Sequence, residues 1–391
     1  MTYHFDDIID RHDTNSLKYD FHTERNKPTD ALPLWVADMD FQSPKEVIDA
    51  LQNAVSHGIF GYSNIKQDYF DAIHAWFLNR FGWNTQREWL VTTPGVVFAL
   101  NLAVKAFTNP GDCILIQRPV YYPFHAVIEA NQRKLINNPL HYENGVYTID
   151  FKDLESKIIE HQVKLMIFCS PHNPVGRVWT KEELTKLGTL CMKHHVIIIS
   201  DEIHADFVYP GHQHTILANV SKELADHTII CTAPSKTFNL AGFQVSNIFI
   251  ANGSLRDRFK KEFELSGYSE PNCLGIVACK AAYTYGADWL EQLLVYLKGN
   301  ADYVRDYLAT HLPKVKMVEL EGTYLVWLDF SAYGLTQEEL EDRMLHQAKL
   351  WLDSGTMFGI EGTGFERINL ASPRSVIEQA MKQLSEAFSE Q

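Results

Sequence analysis

Between residues 91 and 251 the chain alternates short apolar runs with segments of helical spacing. The runs are five or six residues long and are typical of buried strands; they cover 113–117, 164–169, 196–200, 228–232 and 246–251. Apolar residues at helical spacing predict helices over 96–107, 123–131, 180–194 and 216–226. This alternation predicts an α/β fold, with a mostly parallel sheet between layers of helices.

The two ends of the chain follow other patterns. Residues 1–30 are polar and irregular, with one short helix expected, and 32–41 form an apolar extended arm interrupted by Pro and Asp. After about residue 290, amphipathic helices, one of them expected over 336–349, and antiparallel-looking strands predict a smaller α+β domain. We therefore assign 1–48 to an arm and part of the small domain, 49–288 to a large domain, and 289–391 to the small C-terminal domain.

Polar, chemically reactive residues follow four of the predicted strands. These segments are 118–123, 170–174, 201–204 and 233–242. Parallel strands end at one edge of their sheet, and ligands of such sheets bind beyond that edge. The pattern therefore predicts one ligand site built from all four loops.

Lys236 lies in the last of these loops, directly after a buried apolar run. Burial disfavours the charged form of an amine, and a neutral amine attacks carbonyl groups. A Schiff base with pyridoxal phosphate is one chemistry that requires such a lysine. On this segment alone, a surface lysine in a polar loop is the alternative interpretation.

Pyridoxal phosphate also needs partners that the other loops can supply. Asp201 can keep the pyridine nitrogen protonated, so that the ring accepts electrons. Asn173 or His204 can donate to the ring hydroxyl, and Tyr121 can stack on the ring. A substrate carboxylate needs an arginine, and Arg367 and Arg374 are alternative candidates for it. The helix that begins after Gly95 can bind phosphate through its backbone amides.

Composition and charge argue against several classes of binding partner. The chain has 391 residues and a net charge of −14, without a long basic block, so no nucleic-acid partner is expected. No apolar run approaches the length of a membrane span, and the N-terminus lacks the pattern of a secretory signal. The six cysteines are scattered and favour a reduced, cytoplasmic protein. The segment 211–214 contains two histidines, but we interpret it as a solvated loop and expect no metal.

Several motifs together resemble a known family. They are Ser-Pro-His-Asn-Pro at 170–174, Asp-Glu-Ile-His at 201–204, Ser-Lys-Thr-Phe-Asn-Leu-Ala-Gly at 235–242 and Arg-Ile-Asn-Leu-Ala at 367–371. In this order and spacing the set resembles the fold-type I pyridoxal phosphate enzymes of aminotransferase class I/II. With Trp-Val-Ala-Asp-Met-Asp-Phe at 35–41 and Pro-Gly-Val-Val at 94–97, it is similar to the MalY/PatB-type cystathionine β-lyases, or C–S lyases.

The resemblance implies a role for individual residues. It makes Lys236 the lysine that binds the cofactor and Asp201 the partner of the pyridine nitrogen. It implies that Tyr62 reaches the phosphate from the neighbouring subunit of a homodimer. It favours Arg367 over Arg374 for the substrate carboxylate and adds Ala37 to the substrate site. The remaining cofactor contacts that it implies are Asn173, His204, Tyr121, Gly95, Val96, Val97 and Ser235.

The implied activity is α,β-elimination from L-cystathionine or a related cysteine S-conjugate. The sequence departs from the wider aminotransferase pattern, since His204, Gln244 and Ala233 replace a common Tyr, Arg and Ser. These departures fit the lyase subgroup. An aminotransferase reaction on the same site and a MalY-like regulatory binding role are the alternatives.

Overall fold

A computed structural model describes residues 2–389. Seven strands form the central sheet, and we label them in chain order. They are β1 (Leu90–Thr93), β2 (Cys113–Ile116), β3 (Lys134–Asn137), β4 (Leu165–Cys169), β5 (Ile197–Asp201), β6 (Thr228–Thr232) and β7 (Ser246–Phe249).

The order across this sheet is β1-β7-β6-β5-β4-β2-β3. Strand β7 pairs antiparallel with both β1 and β6, and the other pairings are parallel. The predicted mostly parallel sheet is therefore present, and its fifth predicted run, at 246–251, is the strand that runs in the opposite direction.

Both faces of the sheet are buried, which explains why its strands are continuous apolar runs. In β4 the side chains alternate: Ile167 packs in one apolar cluster and Phe168 in the other, on the opposite face. The helices that cover the faces and build the rest of the protein are Lys45–His57, Gln67–Phe81, Val96–Phe107, Pro123–Ala130, Phe151–Glu160, Lys181–Lys193, Lys222–Ala225, Pro234–Thr237, Gly253–Leu265, Cys273–Tyr285, Ala287–His311, Gln337–Asp342 and Arg374–Phe388.

A second, antiparallel sheet lies in the C-terminal part of the chain. Its strands are β8 (Lys316–Met317), β9 (Leu325–Asp329), β10 (Asp353–Ser354) and β11 (Phe365–Asn369), in the order β8-β9-β11-β10. The apolar arm joins this part of the molecule, because Leu32–Pro33 pairs in parallel with Leu350–Trp351. Two short strands, His141–Glu143 and Val146–Thr148, form a hairpin at the periphery.

Three predicted elements differ from the structure. The predicted helix over 216–226 is instead a 3-10 turn, Leu217–Asn219, followed by a one-turn helix. Ser221 separates them, since its side chain caps the second helix at the Leu224 amide. The predicted helix over 336–349 changes to π-helical winding at Arg343–Gln347, and residues 2–30 form turns rather than a helix.

The predicted division into three regions stays a prediction. Its boundary at 288 falls in the first turn of the continuous helix Ala287–His311. Within residues 2–389, no helix has both the length and the hydropathy needed to cross a membrane.

Candidate active site

A cavity of about 290 Å³ opens at the carboxyl edge of β4, β5 and β6. It brings together residues from the four predicted loops and from the C-terminal sheet. All the predicted site residues except Tyr62 line it, namely Ala37, Gly95, Val96, Val97, Tyr121, Asn173, Asp201, His204, Ser235, Lys236 and Arg367.

Lys236 lies in the one-turn helix Pro234–Thr237, which begins directly after β6. Its Nζ donates a hydrogen bond of 2.6 Å to the carbonyl oxygen of Ala37. Burial lowers the pKa of the Lys236 amine to about 8, the nearby charge of Asp38 opposes this shift, and Arg367 adds to it. The amine is therefore neutral far more often at physiological pH than an ordinary lysine.

Asp201 is the last residue of β5, and its neighbours on both sides are the ends of β4 and β6. Its side chain is buried and accepts a hydrogen bond of 3.2 Å from the amide of Ile203. Burial raises the pKa of Asp201 to about 7, although Lys236 opposes the shift. A cationic group beside this carboxylate would offset the cost of burying its charge.

His204 and Asn173 are both buried in the wall of the cavity. Burial lowers the pKa of His204 far below its usual value, so its ring is neutral, and its Nδ1 has no partner among the described residues. Asn173 accepts from Arg367 through Oδ1, which leaves its amide nitrogen to donate elsewhere. Both side chains can therefore offer a polar atom to a bound molecule.

Tyr121 lies beside them, and its backbone amide donates to the carbonyl oxygen of Asn173 at 3.1 Å. Burial raises the pKa of its phenol, which stays protonated. Its ring lines the cavity, as a stacking partner requires.

At another part of the wall, the helix Val96–Phe107 begins without a side-chain cap, after Gly95. The first amides of a helix have no acceptor within the helix and attract anions. A Cβ at Gly95 would meet nothing within 4 Å, so space remains in front of these amides. Ser235 lines the same cavity, whereas Gln244 and Ala233 stand there without a positive charge.

Arg367 projects from β11 and is buried. Its Nη1 donates to Asn173 Oδ1 at 3.0 Å, and its Nη2 donates to the Trp35 carbonyl oxygen at 2.8 Å and to the Asp353 carboxylate. Arg374, the other candidate, instead bonds Asn300 at 2.8 Å and lies outside the cavity lining. The placement favours Arg367 for a substrate carboxylate.

Residues 35–41, which we call the strap, cover one side of the cavity. Asn369 donates to the carbonyl oxygens of Val36 and Asp38, each at 2.6 Å. Asn239, three residues after Lys236, donates to the carbonyl oxygen of Met39 at 2.9 Å. Tyr324 donates to the Ala37 carbonyl oxygen at 2.9 Å, so this atom accepts from both Tyr324 and Lys236.

Sequence reasoning missed Asp353, Tyr122 and Tyr324. Asp353 and Tyr122 line the cavity, and Tyr324 fixes the strap beside Lys236. Asp353 lies opposite Arg367 in the register of β10 and β11, and no local motif in the sequence marks that register. Tyr122 could have been found, because it lies in the polar loop that also holds Tyr121.

Tyr62 does not line the cavity of its own chain. Its side chain is 97% exposed, in a loop that also exposes Ile59 and Phe60. The role implied for it therefore depends on a second copy of the chain.

The interpretation of 211–214 as a solvated loop is wrong for His214. This side chain is buried, and its Nε2 lies 2.8 Å from the Glu202 carboxylate. Within the described part of the chain, no group of three or more His, Cys, Asp or Glu side chains is arranged to hold a metal.

Comparison with known proteins identifies the family. The aminotransferase class I and II family matches residues 29–384, and the chain belongs to this family. The chain is 44% identical to cystathionine β-lyase PatB of Bacillus subtilis, over 98% of this chain and all of that protein. It is 33% identical to protein MalY of Escherichia coli, over 98% of each chain.

Solved structures agree with this assignment. Cystalysin from Treponema denticola, which contains a pyridoxal 5'-phosphate cofactor, has a TM-score of 0.96 and 40% identity over 99% of each chain. The pyridoxal phosphate-bound C–S lyase from Staphylococcus hominis has a TM-score of 0.93 and 34% identity, covering 100% of this chain and 99% of that one. The family and the fold class predicted from the sequence are confirmed.

The residues of the cavity fit the cofactor named for these neighbours. Lys236 offers an amine whose pKa is lowered, and Asp201 offers a buried carboxylate for a ring nitrogen. The open helix start at 95–97 offers unbonded amides for a phosphate. His204 Nδ1, buried and without a partner in residues 2–389, offers one more polar contact.

Proposed function

We propose that this protein is a pyridoxal phosphate-dependent carbon–sulfur β-lyase. Its expected substrate is L-cystathionine or a related cysteine S-conjugate, and its products are a thiol (homocysteine from cystathionine), pyruvate and ammonia. The enzyme class and the cofactor predicted from the sequence are confirmed by the relatives described above. The observation that carries the proposal is that the Lys236 amine, with its pKa near 8, shares one cavity with the buried Asp201.

The residues of this chain divide the work of an elimination. When bound, pyridoxal phosphate supplies an acceptor for the electrons released at the substrate Cα. Lys236 would hold the cofactor through its amine and would take the substrate Cα proton as a general base while the thiolate leaves Cβ, a role that its lowered pKa favours. Asp201 would stabilise positive charge on the ring nitrogen. Arg367 orients the substrate through its carboxylate.

The remaining residues hold and orient the cofactor. Tyr121 would stack on the ring, and Asn173 and His204 would offer polar atoms to its substituents. Gly95, Val96, Val97 and Ser235 would receive the phosphate at the start of the helix, where the dipole and the free amides favour an anion. Ala37 fixes the substrate side of the cavity, since its carbonyl oxygen accepts from Lys236 and Tyr324.

The test offers L-cystathionine to the purified holoenzyme without any keto acid. Pyruvate and free thiol should appear in equal amounts and accumulate over many turnovers. Lys236→Ala should abolish both the cofactor absorbance that depends on the lysine and the turnover. Near-parental elimination by Lys236→Ala would refute the role of Lys236.

An aminotransferase is the second candidate, because the family includes such enzymes and the same residues can return the proton to the cofactor. That reaction stops after one half-turnover unless a keto acid is present. Release of one product equivalent per site, with further turnover only after a keto acid is added, would favour it over the lyase.

We also propose a homodimer in which Tyr62 completes the site of the partner. The exposed side chains of Ile59, Phe60 and Tyr62 support this, since large hydrophobic residues cluster on one loop of the isolated chain. A cytoplasmic location stays a prediction. A regulatory binding role also stays open, and a pull-down with the Lys236→Ala protein would test it.

A further inference from the structure

Arg367 already contacts a carboxylate group in this structure. Strands β10 and β11 pair so that Asp353 lies directly opposite Arg367, and each side chain is 4% exposed. The Asp353 carboxylate accepts from Arg367 Nη2. Both residues line the active-site cavity. The contact is set by the register of the sheet and lies where substrate binds under the proposed function.

The donors of Arg367 are unevenly used. Nη2 has two hydrogens, and both are engaged, one with the Trp35 carbonyl oxygen and one with Asp353. Nη1 has one bond, to Asn173, and Nε has no partner within residues 2–389. A carboxylate binds a guanidinium in bidentate fashion through Nη1 and Nη2 or through Nε and Nη2. Each of these forks needs a hydrogen of Nη2, so an incoming carboxylate must replace one of the two present acceptors.

Trp35 is the acceptor that cannot easily leave. Its carbonyl belongs to the backbone of the strap, which Asn369 fixes through the next carbonyl groups, those of Val36 and Asp38. Asp353, in contrast, needs only side-chain rotation to withdraw its oxygen. Two carboxylates beside one guanidinium also repel each other, and this repulsion favours the departure of Asp353 when a second carboxylate binds.

A second cavity lies on the other side of Asp353. It has a volume of about 250 Å³, and its lining includes Asp353, Arg25 and Lys27. The charge of Lys27 already acts on Asp353, because it opposes the rise that burial causes in the pKa of this carboxyl. The same lining holds the acids Glu341 and Glu366, and burial raises the pKa of Glu366 well above its usual value, which favours its neutral form. A carboxylate that leaves Arg367 therefore has the cationic side chains of Arg25 and Lys27 on its far side.

We propose that Asp353 is a specificity-determining residue that occupies the arginine fork in the free enzyme and is exchanged for the substrate carboxylate. This inference rests on the proposed function for the identity of the substrate, but its chemistry requires only a carboxylate. Amino acids that bind Arg367 must compete with Asp353, so Asp353 sets the affinity for carboxylates without taking part in bond cleavage.

The experiment compares Asp353→Asn with Asp329→Asn in the holoenzyme. Asp329, the last residue of β9, is a matched control, because it is also a buried acid of the same sheet, but it lines neither the active-site cavity nor the second cavity. Asp353→Asn should lower KM for L-cystathionine about tenfold, with kcat within about twofold of the parent, since a neutral amide competes less well for a charged donor. Asp329→Asn should leave KM within about twofold of the parent.

A second readout does not depend on turnover. Propionate, which has no amine and cannot react, should bind Asp353→Asn about tenfold more tightly than the parent, as measured by calorimetry. In the Arg367→Ala background, Asp353→Asn should have no effect on propionate binding. This measurement separates the two proposals, because propionate binding can follow the expectation even if the protein does not cleave cystathionine.

Some results would overturn the inference. If Asp353→Asn raised KM and weakened propionate binding, Asp353 would instead hold Arg367 in position for substrate. If Asp353→Asn changed neither quantity, or changed them to the same extent as Asp329→Asn, the contact would have no part in selecting carboxylates.

Discussion

At the scale of single residues, burial acts in the same sense on the two groups at the centre of the site. It disfavours the charged form of both, which places the pKa of Lys236 at about 8 and that of Asp201 at about 7. Without a bound molecule, neither group has a partner that fully stabilises its charge. The cofactor-free protein thus bears the cost of burying the charge of Asp201. A cationic ring nitrogen that binds beside Asp201 offsets this cost, which favours binding.

Asp201→Asn should stabilise the cofactor-free protein at pH 8. The folded-state pKa of Asp201 is about 7 and the ordinary value is 3.8, so folding favours the protonated carboxyl. The ionised carboxylate therefore costs stability as the pH rises from about 4 to about 7, and the full cost is present above pH 7. The substitution should raise the free energy of unfolding by on the order of 2 to 4 kcal/mol at pH 8.

Denaturant unfolding of the cofactor-free parent and variant at pH 4.5 and pH 8 measures this difference. At pH 4.5 the stability advantage of Asn should be mostly lost. In the holoenzyme, Asp201→Asn should lower the elimination activity at least 100-fold, because the ring nitrogen loses its anionic partner; loss of other electrostatic contacts in active sites has effects on the order of this size. A variant that is less stable than the parent at pH 8 would contradict the expectation.

The same scale shows how far sequence reaches into the site. Lys236, Asp201, Asn173 and Tyr121 could be predicted because each follows a buried strand, and the ends of parallel strands meet by geometry. Asp353 could not, since its importance comes from pairing with a residue 14 positions later, across two strands whose register is not encoded in a local pattern. For the same reason no sequence pattern marks the contact between Tyr324 and the strap.

At the scale of elements, prediction succeeded where burial left an unambiguous pattern. Strand β6 and the helix Val96–Phe107 have the predicted bounds, and β2, β4, β5 and β7 differ from the predicted runs by a residue or two. The two edge strands, β1 and β3, were not predicted. The helix Cys273–Tyr285 was not predicted. Six of its 13 residues are buried, including Gly275, and only Thr284 and Tyr285 are exposed, so it lacks the single apolar stripe and opposite polar face that mark an amphipathic helix.

Gly355 illustrates a close approach between elements. It begins the 3-10 turn Gly355–Phe358, and a Cβ there would overlap the carbonyl oxygens of Gly362 and Phe365. Gly355→Ala should lower the free energy of unfolding by about 2 kcal/mol or more, because backbone atoms cannot move aside as a flexible side chain can. Denaturant unfolding measures the loss.

Gly253→Ala is the matched control for Gly355→Ala. Gly253 begins a helix, and the nearest atom to its added Cβ would be a side-chain nitrogen of Arg256 at 3.7 Å. Its substitution should change stability by no more than about 0.5 kcal/mol. Equal effects of the two substitutions would mean that the turn at Gly355 yields to a side chain.

At the scale of the whole molecule, the N-terminal arm and the C-terminal sheet meet over the central sheet to form one site. Residues before and after the arm in the chain both hold it in place. Lys18 is fully buried and donates to the Asp40 carboxylate at 2.7 Å, and Ser372 donates to the same oxygen. A second copy of the chain is the remaining component that we propose.

Subunit mixing tests the shared site. Lys236→Ala and Tyr62→Ala should each be poorly active alone when cofactor is limiting. After subunit exchange in an equal mixture, about half of the dimers are mixed and about a quarter of all sites contain both native residues, so about a quarter of the parental activity should return. Sedimentation should show the mass of a dimer for each variant. If activity does not return although subunits exchange, Tyr62 acts within its own chain or not at all.

The double acceptance by the Ala37 carbonyl oxygen has a consequence for assembly of the holoenzyme. When Lys236 turns to the cofactor, this oxygen keeps the phenol of Tyr324, and the neighbouring carbonyls keep Asn369 and Asn239. The polypeptide around the amine therefore needs no reordering at that moment. The conformational entropy of this segment is lost during folding, so the vitamin-derived group binds to a preorganised site.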